Sequence, residues 1–108
     1  VRYPFLEDSP SYENAKKYLK AGSGVLSFGV KGGREEAARV IDNLNFISLV
    51  VHVADVRSHA LHPASSTHRQ LSDQDLAAAG IDKNLIRLSV GIEDPQDIIE
   101  DLDQALRA

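Results

Sequence analysis

Arg87 stands in the run Leu85-Ile-Arg-Leu-Ser-Val-Gly-Ile-Glu93, an apolar strand pattern carrying one permanent cation. A guanidinium offers a planar fork of donors that matches a carboxylate at two points. Burying it unpaired would cost roughly 3 kcal/mol or more, so the strand position asks for an anion. Two readings stay open on these residues alone. One is a carboxylate ligand held by Arg87; the other is a structural salt bridge to Glu93 or Asp94.

Other groupings invite chemistry and are weaker. Lys31-Gly32-Gly33 between a strand and a helix has the outline of a phosphate cradle, yet Glu35 and Glu36 would repel the phosphate and the full glycine spacing is missing, so a tight turn is expected. His62 and His68 flank Pro63-Ala-Ser-Ser-Thr67, but their spacing fits neither a helical pair nor a zinc finger, and no third ligand is evident. They are expected to be hydrogen-bonding loop histidines, with no metal site. Ser65, Ser66 and Thr67 beside His68 read as a polar turn, because adjacency in sequence is not the spatial adjacency of a triad. His52, in an apolar stretch, reads on its own as a core histidine.

The elements that must position these residues alternate along the chain. Ser9-Pro10 starts a helix that is expected to run through Tyr12, Ala15 and Leu19 to Gly22. Val25 to Val30 alternates as a strand. Ala37, Val40, Ile41, Leu44 and Ile47 recur at helical spacing over 34–47, behind Glu35 and Glu36 in the first turn. Strands are expected at 49–53 and 58–62, the second closed by Pro63. Ser72 caps a short helix ending at Gly80, residues 86–92 form the last strand, and Asp94-Pro95 opens a closing helix with Ile98, Ile99, Leu102, Ala105 and Leu106 on one face. The expected fold class is α+β, a small, mainly antiparallel sheet covered by helices. All-parallel winding is disfavoured because no helix separates the strands at 49–62.

A chain of 108 residues suits one domain. Its twelve basic and sixteen acidic residues give a net charge of -4, which argues against a nucleic-acid surface. The longest apolar run, Phe46 to Val51, is interrupted by Ser48 and too short to span a membrane. With no Cys, disulfides, thiol nucleophiles and thiolate metal sites are excluded. The sequence also lacks Met and opens at Val1, from which a piece of a longer protein is expected.

Taken in order, Val1-Arg-Tyr-Pro4, Val25-Leu-Ser-Phe-Gly-Val-Lys-Gly-Gly33, His62-Pro-Ala-Ser-Ser-Thr-His68 and Ile86-Arg-Leu-Ser-Val-Gly-Ile-Glu93 resemble the carboxy-terminal domain of the Cys/Met-metabolism pyridoxal-phosphate enzymes. The resemblance runs along the whole chain. Phe28-Gly-Val-Lys-Gly-Gly33 and Val53-Ala-Asp-Val-Arg-Ser58 are most similar to the O-acetylhomoserine sulfhydrylases; cystathionine γ-synthases, cystathionine γ-lyases and methionine γ-lyases are the alternatives within the family.

The resemblance implies the small carboxy-terminal domain of a fold-type I transferase over 1–108, joined to a large cofactor domain outside the chain. It also implies a cytoplasmic homotetramer using pyridoxal phosphate, whose activity replaces the acetoxy group of O-acetyl-L-homoserine, released as acetate, with sulfide to give homocysteine. Arg87 matches the arginine that clamps the substrate α-carboxylate. His52 stands where the family has Ser or Asn near that carboxylate, a departure that leaves its role open. The cofactor's lysine and phosphate loop have no counterpart here, and Lys16, Lys17, Lys20, Lys31 and Lys83 read as surface residues. The chain alone is therefore expected to be inactive. From another class, a free-standing module that binds an amino acid through Arg87 remains an alternative.

Overall fold

A computed structural model describes residues 1–108. Four short strands form one sheet: β1 (Val25–Gly29), β2 (Ser48–Leu49), β3 (His59–Leu61) and β4 (Leu85–Ser89), in the order β1-β4-β3-β2. β4 pairs antiparallel with both β1 and β3, so the sheet is mainly antiparallel, as expected. The helices are α1 (Tyr12–Tyr18), α2 (Arg34–Asp42), α3 (Asp73–Ala78) and α4 (Pro95–Arg107), with a 3-10 turn at Pro63–Ser65. This is the expected α+β class, and no helix is long and apolar enough to cross a membrane.

The pleat assigns the two faces of the sheet. Ile86 and Leu88 of β4 point with Ala60 of β3 into a core closed by Ala37, Val40 and Ile41 of α2 and by Ile98 and Ala105 of α4. Arg87 therefore points the other way. Its register partners are Ser27 in β1 and Leu61 in β3, while Ser89, one row along, lies opposite Val25 and His59. α4 starts as its sequence dictates, with the Asp94 carboxylate accepting the Gln96 N–H and Pro95 at the first helical position. Ser72 likewise accepts the Asp75 N–H at the start of α3, and Gly80 after its end takes a φ of 75°.

Four expectations are corrected. α1 begins at Tyr12 with Ser11 at its cap and stops at Tyr18, short of Gly22. Only Ala15 of this helix is buried, so little packing holds another turn. α2 ends at Asp42 instead of continuing to Ile47. The Asn43 side chain donates to the Arg39 carbonyl, and the N–H groups of Asn45, Phe46 and Ile47 turn instead to the Asp101 carboxylate of α4, at 2.9, 3.0 and 2.8 Å. Ile47 reaches the core by that route and not along a helix face.

The strand expected over 49–53 pairs only at Ser48–Leu49, after which the chain leaves the sheet. Finally, β2 and β3, the pair with no helix between them, are the one parallel pairing. With strands this short, residues 50–58 are long enough to carry the chain back without a helix, at about 3.3 Å per extended residue. The sheet is not all parallel, but for a different reason than the missing helix.

Candidate functional site

Arg87 is partly exposed on the sheet face turned away from α2 and α4. Its Nη2 donates to the Val51 carbonyl at 2.7 Å, and this is its one hydrogen bond. Neither acid considered as its structural partner is available. Glu93 spends its carboxylate on Ser58, Asp94 caps α4, and Arg87 takes part in none of the chain's five ion pairs. The salt-bridge reading is therefore overturned. Arg87 opens on a cavity of about 290 Å³ that it shares with Arg2, Val25, Ser27, Pro63 and Leu85. Arg2 is already neutralised by Asp82 at 2.7 Å, which leaves Arg87 as the cation with donors to offer there.

The 50–58 segment arches against the same face and is pinned at several points. Ser58 donates from its backbone N–H and its hydroxyl to the two Glu93 oxygens, both at 2.8 Å, and the Ser58 hydroxyl accepts the Gly91 N–H at 2.9 Å. The Ser58 N–H, chiefly, holds the Glu93 carboxyl below its ordinary value. The Ile92 N–H closes on the Val56 carbonyl at 2.8 Å. Gly91 has no room for a side chain, since a Cβ there would lie 2.2 Å from the Val56 oxygen. At the crown, Ala54 takes a φ of 60°, a left-handed conformation that favours glycine.

His52 follows the carbonyl that Arg87 holds. It is exposed, makes no hydrogen bond within the chain and does not line the Arg87 cavity, so it is not the core histidine that its apolar surroundings suggested. Its ring packs tilted against His59, centroid to centroid 6.2 Å. His59, which the sequence reading passed over, is 1% exposed, and neither ring nitrogen has a partner. A buried donor or acceptor left unpaired costs about 1–3 kcal/mol. Nothing in the sequence marks it, because its missing partner shows only once the strand is buried.

The remaining candidates resolve into structure. The α2 N-terminus is filled from within, because the Glu36 carboxylate accepts the Gly33 N–H at 2.7 Å, and Gly32 at φ 110° makes a plain turn. The His62 ring bridges two groups, with Nδ1 2.8 Å from the Ser65 hydroxyl and Nε2–H donating to the Lys83 carbonyl at 2.7 Å. His68 pairs with the Thr67 hydroxyl at 2.8 Å. Both behave as hydrogen-bonding histidines, and no cluster of three metal-ligating side chains exists. All five lysines are exposed. With no sheltered lysine and its helix N-terminus self-occupied, this chain does not fit the core of a pyridoxal-phosphate site. What it presents is a free guanidinium and a pinned loop.

The sequence model of the Cys/Met metabolism PLP-dependent enzymes matches residues 1–107. The chain belongs to that family. Among relatives of this Cys/Met-metabolism chain, O-acetyl-L-homoserine sulfhydrylase 1 of Thermus thermophilus is 47% identical over 107 residues, 98% of this chain and 25% of that protein. An L-methionine gamma-lyase of Fusobacterium nucleatum is 44% identical over 106 residues, 98% of this chain and 27% of that protein. A crystal structure from Campylobacter jejuni, of a protein proposed to be an O-acetylhomoserine (thiol)-lyase and carrying N'-pyridoxyl-lysine-5'-monophosphate, superposes with a TM-score of 0.89. It is 42% identical, and the match covers 98% of this chain and 25% of that one. The chain thus spans about a quarter of the length of the curated relatives it matches, and its family is pyridoxal-phosphate dependent.

Proposed function

We propose that this chain is the carboxy-terminal small domain of an O-acetylhomoserine sulfhydrylase, which makes homocysteine from O-acetyl-L-homoserine and sulfide in methionine biosynthesis. Arg87 is the clamp for the substrate α-carboxylate. The observation that carries this reading is the unneutralised Arg87 guanidinium, placed at a cavity and held by a backbone carbonyl instead of an acid. The carbonyl takes one of the two Nη2 hydrogens and orients the fork, and the second Nη2–H remains beside a neighbouring N–H of the guanidinium for a two-point carboxylate contact. Pyridoxal phosphate supplies the electron sink for the chemistry. Its lysine and phosphate loop belong to a large domain outside the chain, so this domain contributes binding and orientation. The reading places the enzyme in the cytoplasm as a homotetramer.

The sulfhydrylase reading is favoured by the 47% identity to the Thermus thermophilus enzyme. A methionine γ-lyase or cystathionine γ-lyase is the second reading, supported by the 44% identity to the Fusobacterium nucleatum lyase. A non-catalytic amino-acid-binding module is the rival from another class.

The test is the full-length parent supplied with pyridoxal phosphate. Homocysteine formation from O-acetyl-L-homoserine and sulfide, with a substrate-induced change in the cofactor's visible absorbance, supports the proposal. Release of methanethiol from methionine without homocysteine synthesis would make it a lyase. Amino-acid binding with no turnover would make it a module. Arg87→Leu should lower kcat/KM about a hundredfold or more, the scale of losing a charged two-point contact, while Arg87→Lys should lose roughly tenfold because it keeps charge without the fork.

A further inference from the structure

We propose that His59 is a positioning residue of the amino-acid site: it orients the His52 imidazole beside the Arg87 clamp by sharing an imidazole–imidazole hydrogen bond with it when substrate is bound. This rests on the reading of Arg87 as the carboxylate clamp. Three observations lead here.

First, His59 is 1% exposed and both of its ring nitrogens lack partners. Leu or Phe would fill the same space without orphaned polar atoms, so packing alone does not account for an imidazole. Second, His59 shares a sheet face with Arg87. It lies opposite Ser89, and its neighbour Leu61 lies opposite Arg87. Third, the loop above that face is tied at Val51, whose carbonyl Arg87 holds, and the next residue is His52. His52 has no hydrogen bond of its own, and its ring meets His59 at 6.2 Å between centroids, inclined by 54°.

An N–H···N bond between two imidazoles holds their centroids about 5 Å apart, so the rings must close by about 1 Å and turn a nitrogen of each towards the other. The buried ring is fixed by its strand, and the exposed one is free to swing. His59 thus serves as the anchor and His52, which lies outside the lining of the Arg87 cavity, as the moving part that swings a polar group to its edge. One neutral hydrogen bond corresponds to about fivefold in affinity.

The experiment uses the full-length parent with pyridoxal phosphate and compares His59→Phe, His52→Ala, the double variant and Arg87→Leu. Steady-state KM and kcat for O-acetyl-L-homoserine are read together with equilibrium affinity from the substrate-induced absorbance change. His59→Phe keeps an aromatic ring, slightly larger than imidazole, and removes both nitrogens. It should raise KM and weaken equilibrium binding about fivefold at unchanged kcat, and this effect should vanish in the His52→Ala background. If His59→Phe does not fold, His59→Gln takes its place in the same cycle, with the same disappearance required.

A fivefold effect that persists without His52, or no effect while Arg87→Leu weakens binding, overturns the positioning role and leaves the clamp standing. If Arg87→Leu leaves affinity intact, the clamp falls and this proposal falls with it.

Discussion

Asp101 is the acid on which the loop-bearing half of the fold most depends, and its replacement has a calculable effect. The side chain is buried to 6% exposure on α4 and accepts three backbone N–H groups, from Asn45, Phe46 and Ile47, at 2.8 to 3.0 Å. Gln104 adds a fourth contact at 3.0 Å. A hydrogen bond to a charged acceptor is worth about 1.5–3 kcal/mol when buried, as that of Ile47 is, and the two part-buried ones about 1 kcal/mol each. Asp101→Ala should therefore destabilise by about 4 kcal/mol, and Asp101→Asn by about half as much, since it keeps one acceptor.

Burial works against the charge of Asp101, but the N–H donors of Ile47, Asn45 and Phe46, helped by Gln104, outweigh it and hold the carboxyl below its ordinary value. A depressed folded pKa means that the unfolded chain takes up the proton first as pH falls. The contribution is present in full above the unfolded carboxyl's value of about 3.9 and is lost as pH drops through the lower folded value. Urea unfolding at neutral pH should show Asp101→Ala displaced by about 2–3 M relative to the parent sequence, with the gap closing on acidification below about pH 4. A displacement under about 0.5 M, or a gap independent of pH, would refute the assignment of this carboxylate as the staple of the 45–47 turn.

Two further outcomes bear on the arch over the Arg87 face. Ala54→Gly should stabilise by about 0.5–1 kcal/mol by relieving the left-handed backbone, whereas Gly91→Ala should destabilise by about 2–4 kcal/mol because its Cβ meets the Val56 carbonyl; thermal melts of both variants check this. Ser58→Ala removes one donor to Glu93 and the acceptor for the Gly91 N–H. It should raise the Glu93 pKa towards the ordinary glutamate value, read by carbon NMR titration of that carboxyl.

Local signals located the elements well where packing agreed with them. The helical spacing of Ala37, Val40 and Ile41, and of Ile98 and Ala105, describes the faces that form the core, and the Ser72 and Asp94 caps act as their chemistry dictates. Legibility failed where a distant group took over the backbone. Asn45 to Ile47 follow Asp101, more than fifty residues on in sequence, and no periodicity within 34–47 could reveal that α2 ends early. Val51 lies in a β-branched run, yet its carbonyl is claimed by Arg87 and the segment leaves the sheet. At the site, Arg87 was visible because a cation in an apolar strand is conspicuous by itself. His59 was not, because its oddity lies in having no partner once buried, a property that exists only in three dimensions.

The arch between β2 and β3 has its two feet in one sheet, side by side and pointing the same way. Its rear foot is locked through Ser58 to Glu93 and Gly91, and its front foot is set by the Asp101 turn. The crown between them leaves Val51, His52, Val53 and Val56 exposed and takes no share of the core. The exposed side chains there are thus uncoupled from the core: they can be exchanged one at a time while the scaffold beneath them stays unchanged. A fold built this way can try new specificities without first having to become a new fold.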